Sequence, residues 1–159
     1  MKHLVVGTDG SDIARAAIET AVELAKELNA SITAAYVHGA PSPIFGEPYS
    51  KNWLTQELAH GATALAEARE LAAEAGVEVH AELLDGDPAE QLLRLAEAEE
   101  ADLIVIGARR SDGLRADALG GVSRAVIRDA DCPVLVVSGE TARRPLRVRQ
   151  HALVQLEEE

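Results

Sequence analysis

"LIVIGARRSDGLRADALGGVSR", from Leu103 to Arg124, is the segment that most clearly indicates the fold of this chain. Its first four residues are apolar with no polar alternation, which is typical of a central parallel strand that is covered on both faces. A glycine-rich segment, residues 107–121, follows directly, and the apolar spacing then predicts a helix from Gly121 to Asp129. Strand, turn and helix in this order indicate the repeating unit of an α/β sheet.

The same unit recurs along the rest of the chain. Further strands are predicted at residues 4–6, 31–37, 77–84 and 133–137. Further helices are predicted between a Ser11 cap and an Asn29 stop, from Asn52 to Gly76, and after a start at Asp87. Five strands alternate strictly with four helices. This alternation predicts a doubly wound parallel sheet with helices on both faces and right-handed crossovers.

One segment fits neither a helix nor a strand. Residues 39–49, GAPSPIFGEPY, contain Pro41, Pro43 and Pro48 and also the only phenylalanine of the chain. Because proline cannot extend either element, this segment is predicted to be a surface flap, and the second helix to begin only after it.

Composition limits the class of protein. The chain has 159 residues, 47% of them hydrophobic, which suits a single domain that buries its own core. Fifteen Lys and Arg against 27 Asp and Glu give a net charge of −12, which disfavours nucleic acid and anionic membranes as partners. The single cysteine, the absence of a signal-peptide pattern and the absence of a membrane-length apolar run predict a cytoplasmic location.

A binding site is predicted where two loops meet. If the first and fourth strands are neighbours, residues 7–10 and 107–121 come together at the carboxyl ends of the strands, where doubly wound sheets bind ligands. Backbone amides and a helix N-terminus near Ser123 favour an anion there. Asp9 either accepts hydrogen bonds from a sugar hydroxyl or a base, or ties down its own turn, and the spacing alone does not decide between these roles.

The sequence offers no recognisable catalytic machinery. Five histidines are scattered without the spacing of metal ligands, and a second cysteine for a zinc site is missing. No phosphate-loop, dinucleotide or nucleophile-elbow motif is present. Cys132 is predicted to be a structural thiol. We therefore predict no catalytic residue and no metal ligand.

Several motifs, in order, carry a family resemblance. They are Thr8-Asp9-Gly10-Ser11, Gly86-Asp87-Pro88-Ala89-Glu90, Ala101 to Gly107, Leu119-Gly120 before Val122-Ser123, and Cys132 to Val137. In these motifs residues 1–138 resemble the universal stress protein family, UspA type, and residues 139–159 form a tail outside it. The tail has a basic half and an acidic end, and is either an arm that packs on a partner or a disordered terminus.

The resemblance implies a Rossmann-like sheet of the adenine nucleotide alpha hydrolase kind, with strand order 3-2-1-4-5. It also implies a homodimer that forms through the last strand, Pro133 to Val137. The residues support this dimer, because an apolar edge strand without charge or bulge is seldom left unpaired.

The family includes members that bind ATP or a related adenine nucleotide and members that do not. Binders carry Gly, two residues, Gly, nine residues, Gly, then Ser or Thr. Gly107 and Gly120 stand in register here, but Arg110 replaces the second glycine and Gly121 replaces the hydroxyl residue. Gly113 supplies a glycine three places late. Losing the hydroxyl removes about 1.5 to 3 kcal/mol of binding to a charged phosphate, which weakens binding without preventing it.

The resemblance and the loop geometry together predict an adenine nucleotide site for ATP or AMP, with Mg²⁺ only beside a triphosphate. Its predicted residues are Thr8, Asp9, Val37, Gly107, Arg109, Arg110, Gly113, Gly120, Gly121, Val122 and Ser123. Two other functions stay open. One is a nucleotide-independent stress protein that acts through its dimer surface, and the other is a slow ATP hydrolase, which lacks an evident general base.

Overall fold

A computed structural model describes residues 1–40, 44, 46–108 and 119–138 of the chain. Five strands and four helices alternate along these residues, as the sequence predicts. The elements are β1 (His3–Thr8), α1 (Asp12–Leu28), β2 (Ser31–His38), α2 (Glu47–Ala75), β3 (Val79–Asp85), α3 (Pro88–Ala98), β4 (Leu103–Gly107), α4 (Gly121–Asp129) and β5 (Val134–Val137). None of these helices is long and apolar enough to cross a membrane.

The strands form one parallel sheet in the order β3-β2-β1-β4-β5, which confirms the predicted order. Val5 of β1 lies beside Thr33 of β2 on one side and Ile104 of β4 on the other. From β1 the chain adds β2 and β3 on one side of the sheet. It then crosses over and adds β4 and β5 on the other side. The switch point lies between β1 and β4.

Both faces of the central strands are covered, and this explains their unbroken apolar runs. Leu4 and Val6 of β1 pack in a core with buried residues of α1 and α2. Val5 points to the opposite face and packs in a second core with residues of α3 and α4. All three side chains have no exposed surface.

The predicted helix ends at Ser11, Asn29 and Asp87 are confirmed. The Ser11 hydroxyl accepts a hydrogen bond from the Ala14 amide at 3.3 Å, and Asn29 ends α1 in a left-handed conformation. Asp87 accepts from the Glu90 amide at 3.0 Å and starts α3. These caps satisfy backbone groups that a helix end would otherwise leave unpaired.

The predicted start of the second helix is wrong. Helix α2 begins at Glu47 rather than Asn52, because Pro48 occupies its first turn, where the missing N–H of proline costs no helical hydrogen bond. In the early turns of α2, Leu54 and Leu58 are 38% and 37% exposed. The part of α2 that packs on the sheet thus begins later than the helix itself. Residues 41–43 and 45 of the predicted flap lie outside the described residues, and residues 47–49, which were also predicted to belong to it, form the first turn of α2.

Candidate functional site

A crevice opens at the carboxyl ends of β1 and β4, at the switch point of the sheet. It encloses a cavity of about 210 Å³. Eight of the eleven predicted site residues line it: Thr8, Asp9, Val37, Gly107, Gly120, Gly121, Val122 and Ser123. The other three, Arg109, Arg110 and Gly113, lie outside the described residues.

The cavity also has an apolar wall that the sequence analysis did not predict. Its side chains come from four elements and include Ile13, Ala35, Pro88, Leu92 and Ile106. Of these residues, only Pro88 could have been placed near the site from the sequence. The sequence predicts it at the first turn of α3, and this turn lies at the same edge of the sheet as the two loops. The wall suits a flat apolar group, and the loops beside it suit a polar one.

The turn between β1 and α1 is held by its own side chains. The Gly10 amide donates to the Thr8 hydroxyl at 3.1 Å, and the Ser11 amide donates to Oδ1 of Asp9 at 2.9 Å. Gly10 has a φ of 78°, a conformation that favours glycine. Asp9 therefore has the turn-forming role, and its exposed carboxylate lies at the edge of the crevice.

The N-terminus of α4 faces the crevice from the other side. The Arg124 amide donates to the Gly120 carbonyl at 3.0 Å and is the first of α4 to make a helical hydrogen bond. The amides of Gly121, Val122 and Ser123 precede it and have no acceptor within the helix. No side chain caps this end among the described residues. Three amide donors and the positive end of the helix dipole favour an anion here.

Gly107 has a packing reason to be glycine. A Cβ at this position would lie 2.9 Å from the carbonyl oxygen of Ile13, which belongs to the first turn of α1. The end of β4 and the start of α1 therefore approach each other closely, and this contact forms the floor of the crevice between them.

A larger cleft, of about 340 Å³, lies between α3 and α4 at the opposite end of the strands. Among the described residues that line it, Arg94 is the one cation, and five are carboxylates: Glu90, Glu97, Glu100, Asp129 and Asp131. Such a cleft repels phosphate. Cys132 also lines it, and burial raises the pKa of its thiol, which disfavours the reactive thiolate. Among the described residues, no group of three or more His, Cys, Asp or Glu is arranged to hold a metal ion.

The sequence of this chain matches a known protein family. A sequence model of the universal stress protein family matches residues 1–138. The chain belongs to the universal stress protein family. It is 42% identical over 139 residues to universal stress protein MJ0531 of Methanocaldococcus jannaschii, covering 86% of this chain and 81% of that relative.

Two solved universal stress proteins have the same fold. This chain is 29% identical to UspA from Lactobacillus plantarum, with a TM-score of 0.75 over 86% of this chain and 97% of the other. It is also 29% identical to a universal stress protein solved in complex with cAMP, with a TM-score of 0.69 over 86% and 96% of the two chains. The relatives named here are called stress proteins rather than enzymes.

In this universal stress protein, the hydroxyl of Ser123 already donates a hydrogen bond within the protein. Its side chain is buried and donates to the Gly107 carbonyl at 3.3 Å, which ties α4 to the end of β4. A hydroxyl has one hydrogen to donate, so this bond leaves only the Ser123 amide for a ligand. Its side chain is therefore no substitute for the hydroxyl that Gly121 lacks.

Proposed function

We propose that this universal stress protein is a homodimeric stress-response module that binds AMP or ATP in the crevice between β1 and β4. The observation that carries the proposal is the convergence of two features on one cavity. The amides of the α4 N-terminus, which have no acceptor within the helix, face it from one side, and the Asp9 turn faces it from the other. A family member with the same fold was solved with cAMP, also an adenine nucleotide.

The proposed nucleotide lies with its phosphates at α4 and its nucleoside towards β1 and β2. The amides of Gly120, Gly121, Val122 and Ser123 donate to phosphate oxygens, together with the loop that carries Arg109, Arg110 and Gly113. Asp9 and Thr8 stand beside the ribose, and Val37 stands beside the adenine. Mg²⁺ accompanies only a triphosphate, since the described residues offer it no ligand cluster of their own.

We expect weak binding. The only charged side chain among the described residues of the cavity wall is Asp9, so the attraction for phosphate comes from backbone amides and the two loop arginines. The missing hydroxyl at Gly121 costs about 1.5 to 3 kcal/mol, or roughly ten- to a hundredfold in affinity.

The proposed dimer forms through β5. This strand is an edge of the sheet within the described chain. Ile104 donates to the Pro133 carbonyl and Ala108 to the Val137 carbonyl, so odd-numbered residues of β5 direct their backbone groups to β4. Because backbone direction alternates along a strand, Val134 and Val136 present theirs to the open edge. Helix α4 packs against β5, and it carries an exposed apolar residue, Ile127.

One observation favours a second function, a nucleotide-independent stress protein that acts through its dimer surface. The described cavity wall carries a carboxylate and no cation, and the hydroxyl of the family motif is absent. The two functions are separated by thermal unfolding with millimolar AMP, ATP and ATP with Mg²⁺, with CTP as the matched control. A nucleotide specific for the native state raises the melting temperature. An unchanged melting temperature with every adenine nucleotide favours the second function.

A further inference from the structure

One histidine, His60 on α2, contacts the turn that carries Asp9. Its Nε2 atom lies 3.0 Å from the backbone carbonyl oxygen of Asp9, 51 residues away in the sequence. A carbonyl oxygen can only accept, so Nε2 carries the hydrogen and donates it. The bond joins the middle of α2 to the tip of β1.

The same imidazole also covers the next residue of the turn. A Cβ on Gly10 would lie 2.8 Å from Nε2 of His60 and 3.6 Å from the Cβ of Ala64, one turn further along α2. Gly10 is therefore glycine for two reasons, its left-handed backbone and the close approach of His60.

The ring of His60 is itself held in place by β2. It packs edge-to-face on Tyr36, with ring centroids 5.7 Å apart at an angle of 75°. The Tyr36 hydroxyl donates to Oε2 of Glu57 at 3.1 Å, one turn before His60 on α2. Burial, together with the bond to Glu57, raises the pKa of Tyr36 to about 12, so this hydroxyl keeps its hydrogen at neutral pH.

A glycine lets α2 come this close to the sheet. A Cβ on Gly61 would lie 2.7 Å from Leu83 and 2.8 Å from Tyr36. Glu57, His60, Gly61 and Ala64 have the spacing of a single helix face.

We infer that His60 is a positioning residue for the nucleotide site, because it fixes the Asp9 backbone before a ligand arrives. The inference rests on the proposed function. His60 does not line the described cavity wall, so it acts through the turn and not on the ligand. A turn that is already held in its binding conformation loses less conformational entropy when the nucleotide binds.

The test compares three variants of the full chain by calorimetric titration with AMP. His60→Ala removes the donor, and His60→Gln places an amide N–H close to the position of Nε2. His80→Ala is the matched control, since His80 lies on β3 with an exposed side chain beside Glu78. We expect His60→Ala to weaken AMP binding about fivefold, the value of one ordinary hydrogen bond. We expect His60→Gln to recover most of the loss and His80→Ala to match the wild type.

A second measurement reports on the turn without any ligand. Amide hydrogen exchange at Gly10 and Ser11 is expected to accelerate in His60→Ala and to stay slow in His60→Gln. Wild-type affinity for AMP in His60→Ala overturns the inference, and so does a failure of His60→Gln to restore binding. If the wild-type protein itself binds no nucleotide, the proposed function fails. In that case, amide hydrogen exchange alone tests whether His60 holds the Asp9 turn. Unchanged exchange at Gly10 and Ser11 in His60→Ala overturns the inference.

Discussion

The carbonyl oxygen of Asp9 accepts a hydrogen bond from Nε2 of His60 at 3.0 Å, and through this bond α2 supports the rim of the crevice. The crevice itself is lined by residues of β1, α1, β2, α3, β4 and α4 and of the loops beside them. The long helix that covers one face of the sheet thereby also contacts the proposed binding turn.

Replacing Gly10 tests this contact through stability. Gly10→Ala strains a left-handed backbone by about 1 to 2 kcal/mol and also displaces His60, which loses a hydrogen bond of about 1 kcal/mol. Gly76→Ala is the matched control, because Gly76 has a φ of 70° but nothing within 4 Å of its Cβ position. Chemical denaturation is expected to show the larger loss for Gly10→Ala. In a His60→Ala background the excess is expected to disappear, and an excess that persists contradicts the contact.

Restoring the family's hydroxyl is expected to strengthen binding. A Cβ on Gly121 meets no described residue within 4 Å, and its φ lies outside the left-handed region, so Gly121→Ser fits this part of the structure without strain. The new hydroxyl adds a donor to a charged phosphate, and AMP affinity is expected to rise about ten- to a hundredfold. Calorimetric titration measures the change, with Gly121→Ala as the control for helix propensity. Equal affinities of the serine and alanine variants place the phosphate elsewhere.

Two substitutions separate the turn role of Asp9 from its proposed ligand role. Asp9→Asn keeps an oxygen for the Ser11 amide, so its stability is expected within about 0.5 kcal/mol of the wild type. Its AMP affinity is expected to fall about tenfold, since a neutral acceptor binds a ribose hydroxyl less strongly than a carboxylate. Asp9→Ala is expected to lose about 1 kcal/mol of stability as well. If Asp9→Asn binds like the wild type, Asp9 serves the turn alone.

A proline on the open edge of β5 tests the proposed dimer. Val136→Pro removes an outward N–H and leaves the hydrogen bonds to β4 in place, as edge strands tolerate. Sedimentation is expected to show a dimer for the wild type and a folded monomer for Val136→Pro. Ile127→Ser on α4 is a milder companion that leaves the strand backbone intact. A Val136→Pro dimer with unchanged dissociation contradicts association through β5.

The pH dependence of stability is expected to report on Asp102. Its Oδ2 accepts from the Lys2 amide at 2.6 Å and the His3 amide at 3.0 Å, and these bonds hold its pKa below the ordinary value. A lowered folded pKa contributes stability that is present above the unfolded pKa, about 3.9, and disappears as pH falls through the folded pKa. Asp102→Asn is therefore expected to be less stable than wild type at pH 7, and the gap in denaturation midpoints is expected to close in acid. A gap that is constant with pH contradicts this account.

The sequence predicts the fold well because each element carries its own local signal. The unbroken run at Leu103 to Ile106 marks a strand covered on both faces, and Ser11 and Asp87 mark helix starts through their caps. The start of α2 was predicted wrongly, because proline disfavours a helix interior but suits a first turn, and the sequence alone does not say which position Pro48 holds.

The site is predicted less completely, since its contacts join distant parts of the chain. The structure brings eight of the predicted site residues to one cavity. Strand order predicts the meeting of the two loops, whereas Val37 was predicted only from the family resemblance. The bond from His60 to Asp9 spans 51 residues, and no spacing rule reaches across it. The bond from Ser123 to Gly107 depends on the position of α4 relative to β4. This position is set by tertiary packing, which the local sequence does not show.

Native mass spectrometry of the purified full chain shows whether the crevice binds an adenine nucleotide. Gentle spraying preserves any nucleotide carried through purification, and AMP or ATP with Mg²⁺ can then be added to millimolar concentration. We expect a dimer with the added mass of one adenine nucleotide per chain, and much less added mass in Asp9→Ala. A bare protein at every concentration of AMP and ATP contradicts the claim and leaves the dimer surface as the site of function.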